Sequence, residues 1–78
     1  MSADLQDNLD KLHTTELGAV RISKNLGLTD TDPVAWCKSK IRDASVVVKR
    51  GKNWYVQTDD AVITVNATSF TIITAHRN

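Results

Sequence analysis

The stretch "VITVNATSFTIITAHR", residues 62–77, sets apolar side chains against hydroxyl and amide ones at the two-residue period of a half-buried strand. It breaks once, at Ala67-Thr68, and finishes on His76 and Arg77. Toward the N-terminus the same period runs through "AVITVN", "NWYVQT" and "SVVVK", separated by "DD" and "RGK", which predicts a four-stranded antiparallel meander. With Asp59-Asp60 and Ala67-Thr68 as two-residue loops, position 56 pairs with 63, 54 with 65, 65 with 70 and 63 with 72. One face then holds Trp54, Val56, Ile63, Val65, Phe70 and Ile72 and must be the core side. The other holds Asn53, Tyr55, Gln57, Thr64, Asn66, Ser69 and Thr71 and is wet. Thr74 and His76 share the parity of Phe70 and Ile72, so this register expects them at the rim of the core side.

Upstream of residue 44 the period is helical. Ser2 can cap a first helix carrying Leu5, Leu9 and Leu12 on one stripe. A break near Thr14 or Thr15 opens a second helix, with Ala19, Ile22 and Leu26 on its stripe, Leu17 and Val20 flanking, and Gly27 as its stop. Gly18 weakens it somewhat. Asp32 as cap and Pro33 at the first helical position start a third helix, which turns Val34, Cys37 and Ile41 inward and leaves Lys38 and Lys40 to solvent. The expected fold is α+β, with three N-terminal helices packed on one face of a four-stranded antiparallel meander, one domain over residues 1–78.

At 78 residues the chain is small; a domain of this size buries only about 60% of its unfolded surface, so every large apolar residue is claimed by one core. The single cysteine, Cys37, allows no internal disulfide and points to a reducing, cytoplasmic setting. No run of apolar residues is long enough to span a membrane. Net charge is +1, unevenly spread. Residues 1–32 hold six acids against three bases, and residues 33–53 hold six bases against Asp43, an asymmetry that suits an anionic partner.

Two constellations bear on chemistry. His13, Arg21, Thr74 and His76 are the residue types of metal-independent RNA cleavage, in which one imidazole takes the 2′-hydroxyl proton, another protonates the leaving oxygen and a guanidinium stabilises the phosphorane. The bland reading is that His13 fills the interhelical break and His76 and Arg77 end a frayed strand. "VVVKRGKNWYV" places Lys49, Arg50 and Lys52 around a hairpin turn before Tyr55, a set that can contact phosphate and stack a base. Its bland reading is a solubilising hairpin whose cations shield the edge strand from unwanted pairing. Trp54 belongs to the core by parity, and Trp36 lies off its helix stripe. No metal-ligand spacing is present, since His13, Cys37 and His76 are scattered, and no phosphate-binding glycine loop is present; no cofactor is expected. Asp59-Asp60 is read as a turn and nothing more.

"NLDKLHTTELGAVRISKNLGL", "DPVAWCKSKI", "KRGKNWYV" and "VITVNATSFTIITAHR" together resemble, over residues 8–77, a family of small bacterial and phage-associated proteins catalogued only as a domain of unknown function. More remotely, His13, Arg21 and "IITAHR" are similar to the barnase-like and RelE-like ribonuclease superfamily, whose small members run helices first and a meander afterwards. That likeness implies Thr74 and His76 as last-strand site residues, with Lys24 assisting Arg21 in holding phosphate; Arg77, next to His76, is counted with the nucleic-acid-binding cations. The leading expectation is an RNA-binding domain with ribonuclease activity of the toxin or effector kind. The alternative is a non-catalytic protein-interaction module, such as a phage-associated inhibitor of a host system, acting as a monomer or an edge-paired homodimer.

Overall fold

A computed structural model describes residues 5–78 of the chain. Two α-helices, α1 (Glu16–Leu26) and α2 (Pro33–Arg42), precede four strands, β1 (Val46–Arg50), β2 (Asn53–Gln57), β3 (Ala61–Asn66) and β4 (Ile72–Arg77). The strands form one antiparallel meander in the order β1-β2-β3-β4. Among the described residues no helix is long and apolar enough to cross a membrane.

The helix starts and stops follow local chemistry. Thr15 caps α1 by accepting a hydrogen bond from the Gly18 amide at 3.0 Å, and Gly27 closes it in the left-handed region at φ 72°. Asp32 caps α2 by accepting from the Val34 amide at 3.0 Å, and Pro33 takes the first turn.

The expected first helix is absent as such. Leu5–Asp7 and Leu9–Lys11 are two separate 3-10 turns, so among the described residues α-helices number two rather than three. Asp7, Asn8 and Asp10 are poor helix formers whose side chains compete for backbone groups, and the segment is too short to nucleate a helix by itself. The buried set is nevertheless the expected one: Leu5 and Leu12 are enclosed and Leu9 packs against the core. The cap expected at Ser2 lies outside the described residues. Gln6 gives this segment a further task, its Nε2 donating to the carbonyls of Ile41 and Ala44 and so capping the end of α2.

Register decides the rest. Trp54 pairs with Val65 and Val56 with Ile63, as the two-residue Asp59-Asp60 loop requires. The β3–β4 connection departs from expectation in two steps. First, the loop spans residues 67–70 rather than two, closed by the Asn66 amide donating to the Thr71 carbonyl at 2.8 Å, and Val65 faces Ile72. A shift of two keeps parity, so Ile72 remains in the core, 1% exposed. Second, the ladder slips by one between Thr64 and Val65, so that Thr64 faces Thr74, Ile63 faces Ala75 and Val62 faces His76. Ile73 is the extra residue of a β-bulge.

The bulge reverses the parity of everything after it. Without it, Thr74 and His76 would point at the helices; with it, Ala75 does, fully buried beneath the α-layer. Burying an alanine in place of a threonine and an imidazole removes an unpaired polar cost of about 1–3 kcal/mol per group. In return, Ile73 is left 48% exposed.

Gly18 is explained by close approach. A Cβ there would sit 2.3 Å from the Thr14 Oγ1, the hydroxyl that donates to the Ile72 carbonyl at 3.1 Å and ties the start of α1 to β4. Gly18→Ala, ordinarily a gain of about 1 kcal/mol in a helix, should here lower stability by about 1 kcal/mol net, because leaving the buried Ile72 carbonyl without its partner costs about 2 kcal/mol. Thermal melts of the two proteins check the sign, and a stabilised variant would show that Thr14 is dispensable.

Candidate functional site

The helices cover one side of the sheet. Its other side is read directly from the pairing as three transverse rows: Val46, Gln57, Val62 and His76; Val48, Tyr55, Thr64 and Thr74; Arg50, Asn53 and Asn66. Val46, Val48 and Tyr55 are 43%, 46% and 39% exposed, the signature of an uncovered sheet face. Tyr55 stands at its centre. Val48, Arg50 and Tyr55 line a hollow of about 360 Å³, set by the two-residue turn Gly51-Lys52, in which Gly51 takes φ 57°. Parity of β1 against β2 across that turn is the sequence signal that places Val48 beside Tyr55.

The structure therefore re-sorts the candidate residues. Thr74 and His76, expected on the helix side, stand on the open face with Tyr55 and Arg50. His13 is elsewhere. It extends the sheet beyond β4 by a parallel bridge to Thr71, its amide donating to the Phe70 carbonyl and its carbonyl accepting from Ile72. Its ring is held at both nitrogens, with Nδ1 2.9 Å from the Lys11 carbonyl and Nε2 3.1 Å from the Thr71 hydroxyl, which contacts Ser69 Oγ at 2.7 Å. The Lys11 carbonyl can only accept, so Nδ1 is the donor there. Thr71, just before β4, and His76 near its end are five residues apart, which sets the two imidazoles about 15 Å apart along the strand direction. Arg21 and Lys24 are exposed on α1. The four residues of the cleavage constellation do not converge.

Lys49 and Lys52 are exposed at the β1–β2 end, where no acidic residue occurs between positions 44 and 58. Arg77 is on the helix side, and its role is structural. Its Nε donates to the Leu26 carbonyl at 3.0 Å, a guanidinium nitrogen donates to Asp60 at 2.9 Å, and its guanidinium lies 5.8 Å from the centre of the Trp36 ring. Lys40 reaches the same ring at 5.4 Å and bridges Asp59 and Asp60 at 3.2 and 3.1 Å. The acidic turn thus does more than reverse the chain, and Lys40 is engaged rather than free.

A larger hollow of about 560 Å³ lies between the end of α2 and the β1–β2 strand ends, lined by Ser39, Lys40, Asp43, Ser45, Gln57 and Asp59 among others. Two carboxylates make it a poor place for phosphate. Cys37 is fully buried, and burial, assisted by the Asp32 charge, pushes its thiol up to about 12, so it is no nucleophile. Among the described residues no three His, Cys, Asp or Glu side chains gather as a metal site.

The chain belongs to a family described as "Protein of unknown function (DUF3781)", whose model matches residues 6–76. No curated protein and no solved structure matches the chain.

The Asp60 network sets an acid limit. Hydrogen bonding to Lys40, against a smaller opposing effect of burial, holds the Asp60 carboxyl below its ordinary value, with the Arg77 charge adding to the effect. A depressed carboxylate contributes stability that is complete above the unfolded value of about 3.9 and is lost as pH falls through the lower folded value. Melting temperature followed from about pH 7 to about pH 2 should therefore fall less steeply below about pH 4 in Asp60→Asn than in the wild type. Parallel curves for the two proteins would show that the network carries no linkage.

Proposed function

We propose that this protein binds single-stranded RNA on the open face of its sheet, as a binding module rather than a nuclease. The observation that carries the reading is the bulge-dependent register, which gathers Arg50, Tyr55, Thr74 and His76 on one uncovered surface. Tyr55 offers a stacking platform, with Val48 as the wall of its hollow; base–aromatic stacking contributes about 1–3 kcal/mol and tolerates any base. Arg50, with Lys52 at the turn, supplies phosphate contacts in a segment free of acids, while Lys49 pairs with Trp54 on the other side. Asn53 and Thr74 present an amide and a hydroxyl suited to a ribose 2′-hydroxyl. His76 stands two strands and one row from Tyr55, about 12 Å away at ordinary sheet spacings, within the reach of one or two nucleotides. Two-imidazole cleavage needs a second histidine near His76, and His13 is at the far end of the strand. The reading places the protein in the cytoplasm, where its lone thiol stays reduced.

A second reading, a docking face for another protein, draws on the apolar content of the same region, where Val46, Val48 and Ile73 are 43%, 46% and 48% exposed.

Anisotropy of a labelled short oligouridine separates the two. RNA binding predicts saturable association that weakens as salt rises, a loss of about 5- to 100-fold in Tyr55→Ala, and a salt slope smaller by about 1 in Arg50→Ala. An oligonucleotide that does not bind even at low salt removes the RNA reading and leaves the protein-docking one.

A further inference from the structure

The two edges of the sheet are treated differently. The start of β4 is closed, since the His13 backbone exchanges hydrogen bonds with Phe70 and Ile72 and Thr14 caps the Ile72 carbonyl. The outer edge of β1 pairs with nothing among the described residues; its only ladder is with β2. Exposed edges are usually blunted by charge in mid-strand. Here the cations sit at one end, Lys49 and Arg50, and three consecutive valines, Val46, Val47 and Val48, occupy the rest. These are strong strand formers whose outer edge is left unpaired among the described residues.

We propose that β1 pairs with β1 of a second copy, antiparallel about a two-fold axis at Val48, joining two meanders into one eight-stranded sheet. The register follows from length and charge. Centred on Val48, all five residues pair: Val48 faces the partner's Val48, Val46 faces the partner's Arg50, and Val47 faces the partner's Lys49. Centred one residue later, Lys49 would face the partner's Lys49, which is repulsive. Centred one earlier, only three strand residues of each copy pair. In the favoured register no cation opposes a cation, and two residues beyond the strand Lys52 comes opposite the partner's Ala44, beside the partner's Asp43. That is the charge complementarity a second copy offers and an unrelated extended peptide does not.

A five-residue pairing falls short of the standard interface of about 800 Å² per partner, so the dimer is weak and concentration-dependent. The joined face gains from it. The row ending in His76 continues from Val46 into the partner's Arg50, giving each binding surface an arginine from the other copy. That consequence rests on the RNA reading; the dimer itself does not.

Sedimentation equilibrium of the full chain without nucleic acid, from about 10 μM to about 1 mM, should show mass rising from 8.6 kDa toward twice that value. Val48→Lys and Val48→Glu each set like charges across the axis and should weaken the dimer about five-fold or more, whereas an equimolar mixture of the two should restore it as a heterodimer. Circular dichroism confirms that both fold, as a half-exposed site allows. Tyr55→Ala, which tests RNA binding, should leave the dimer intact, so either claim can fail alone. A chain that stays monomeric throughout the range, or a dimer indifferent to both Val48 substitutions, overturns the proposal.

Discussion

The bulge at Ile73 is the constraint on which the surface of this protein depends. β4 presents apolar groups to α1 along its length, and the two residues it buries, Ile72 and Ala75, are three apart rather than two. A regular strand buries every second residue, so one residue must be set out of the ladder. The cost is an exposed isoleucine and a local break in pairing. The gain is that Thr74 and His76 leave the interior, and a strand that would have ended in a polar defect ends on the open face instead.

Two anchors hold that strand in place. At its start the His13 backbone acts as a one-residue fifth strand, fixing the N-terminal segment against β4 and using both ring nitrogens in local hydrogen bonds. At its end Arg77 spans the Leu26 carbonyl, Asp60 and the Trp36 ring, linking both helices to the β2–β3 turn. The pairs are exposed, and surface ion pairs contribute little one by one. Their effect lies in geometry, because together with the His13 bridge they hold the C-terminal strand at both ends. Phe70, at φ 61°, is the strained turn residue between β3 and this anchored strand; it packs against Trp54 with ring centres 5.2 Å apart.

The functional consequence is a division of labour between faces. The helix side is filled by a continuous core from Leu5 to Ala75. The open side combines an aromatic platform, a basic turn and polar rows, and β1 borders it as an unpaired edge. The proposed binding on a face and the proposed pairing at its edge draw on the same feature, a sheet that the described residues cover on one side only.

Local chemistry was legible in the sequence. Thr14 or Thr15, Gly27, Asp32 and Pro33 announced the helix ends, the alternation after residue 45 announced four strands, and the two-residue Asp59-Asp60 turn set the β2–β3 register, because each of these is decided within a few residues by caps, turns and period. Leu5 and Leu12 were legible as core, although not the 3-10 form of their segment. What only the tertiary structure decided was the side on which the last imidazole emerges, and with it the company His76 keeps. A bulge carries no local signature when both neighbours are β-branched: Ile72 and Ile73 suit a strand equally well, and which of them turns inward is settled by the α-layer that must be covered. Parity propagates a single slip to every residue beyond it, so the one position that local rules left open determined the arrangement of the whole C-terminal surface.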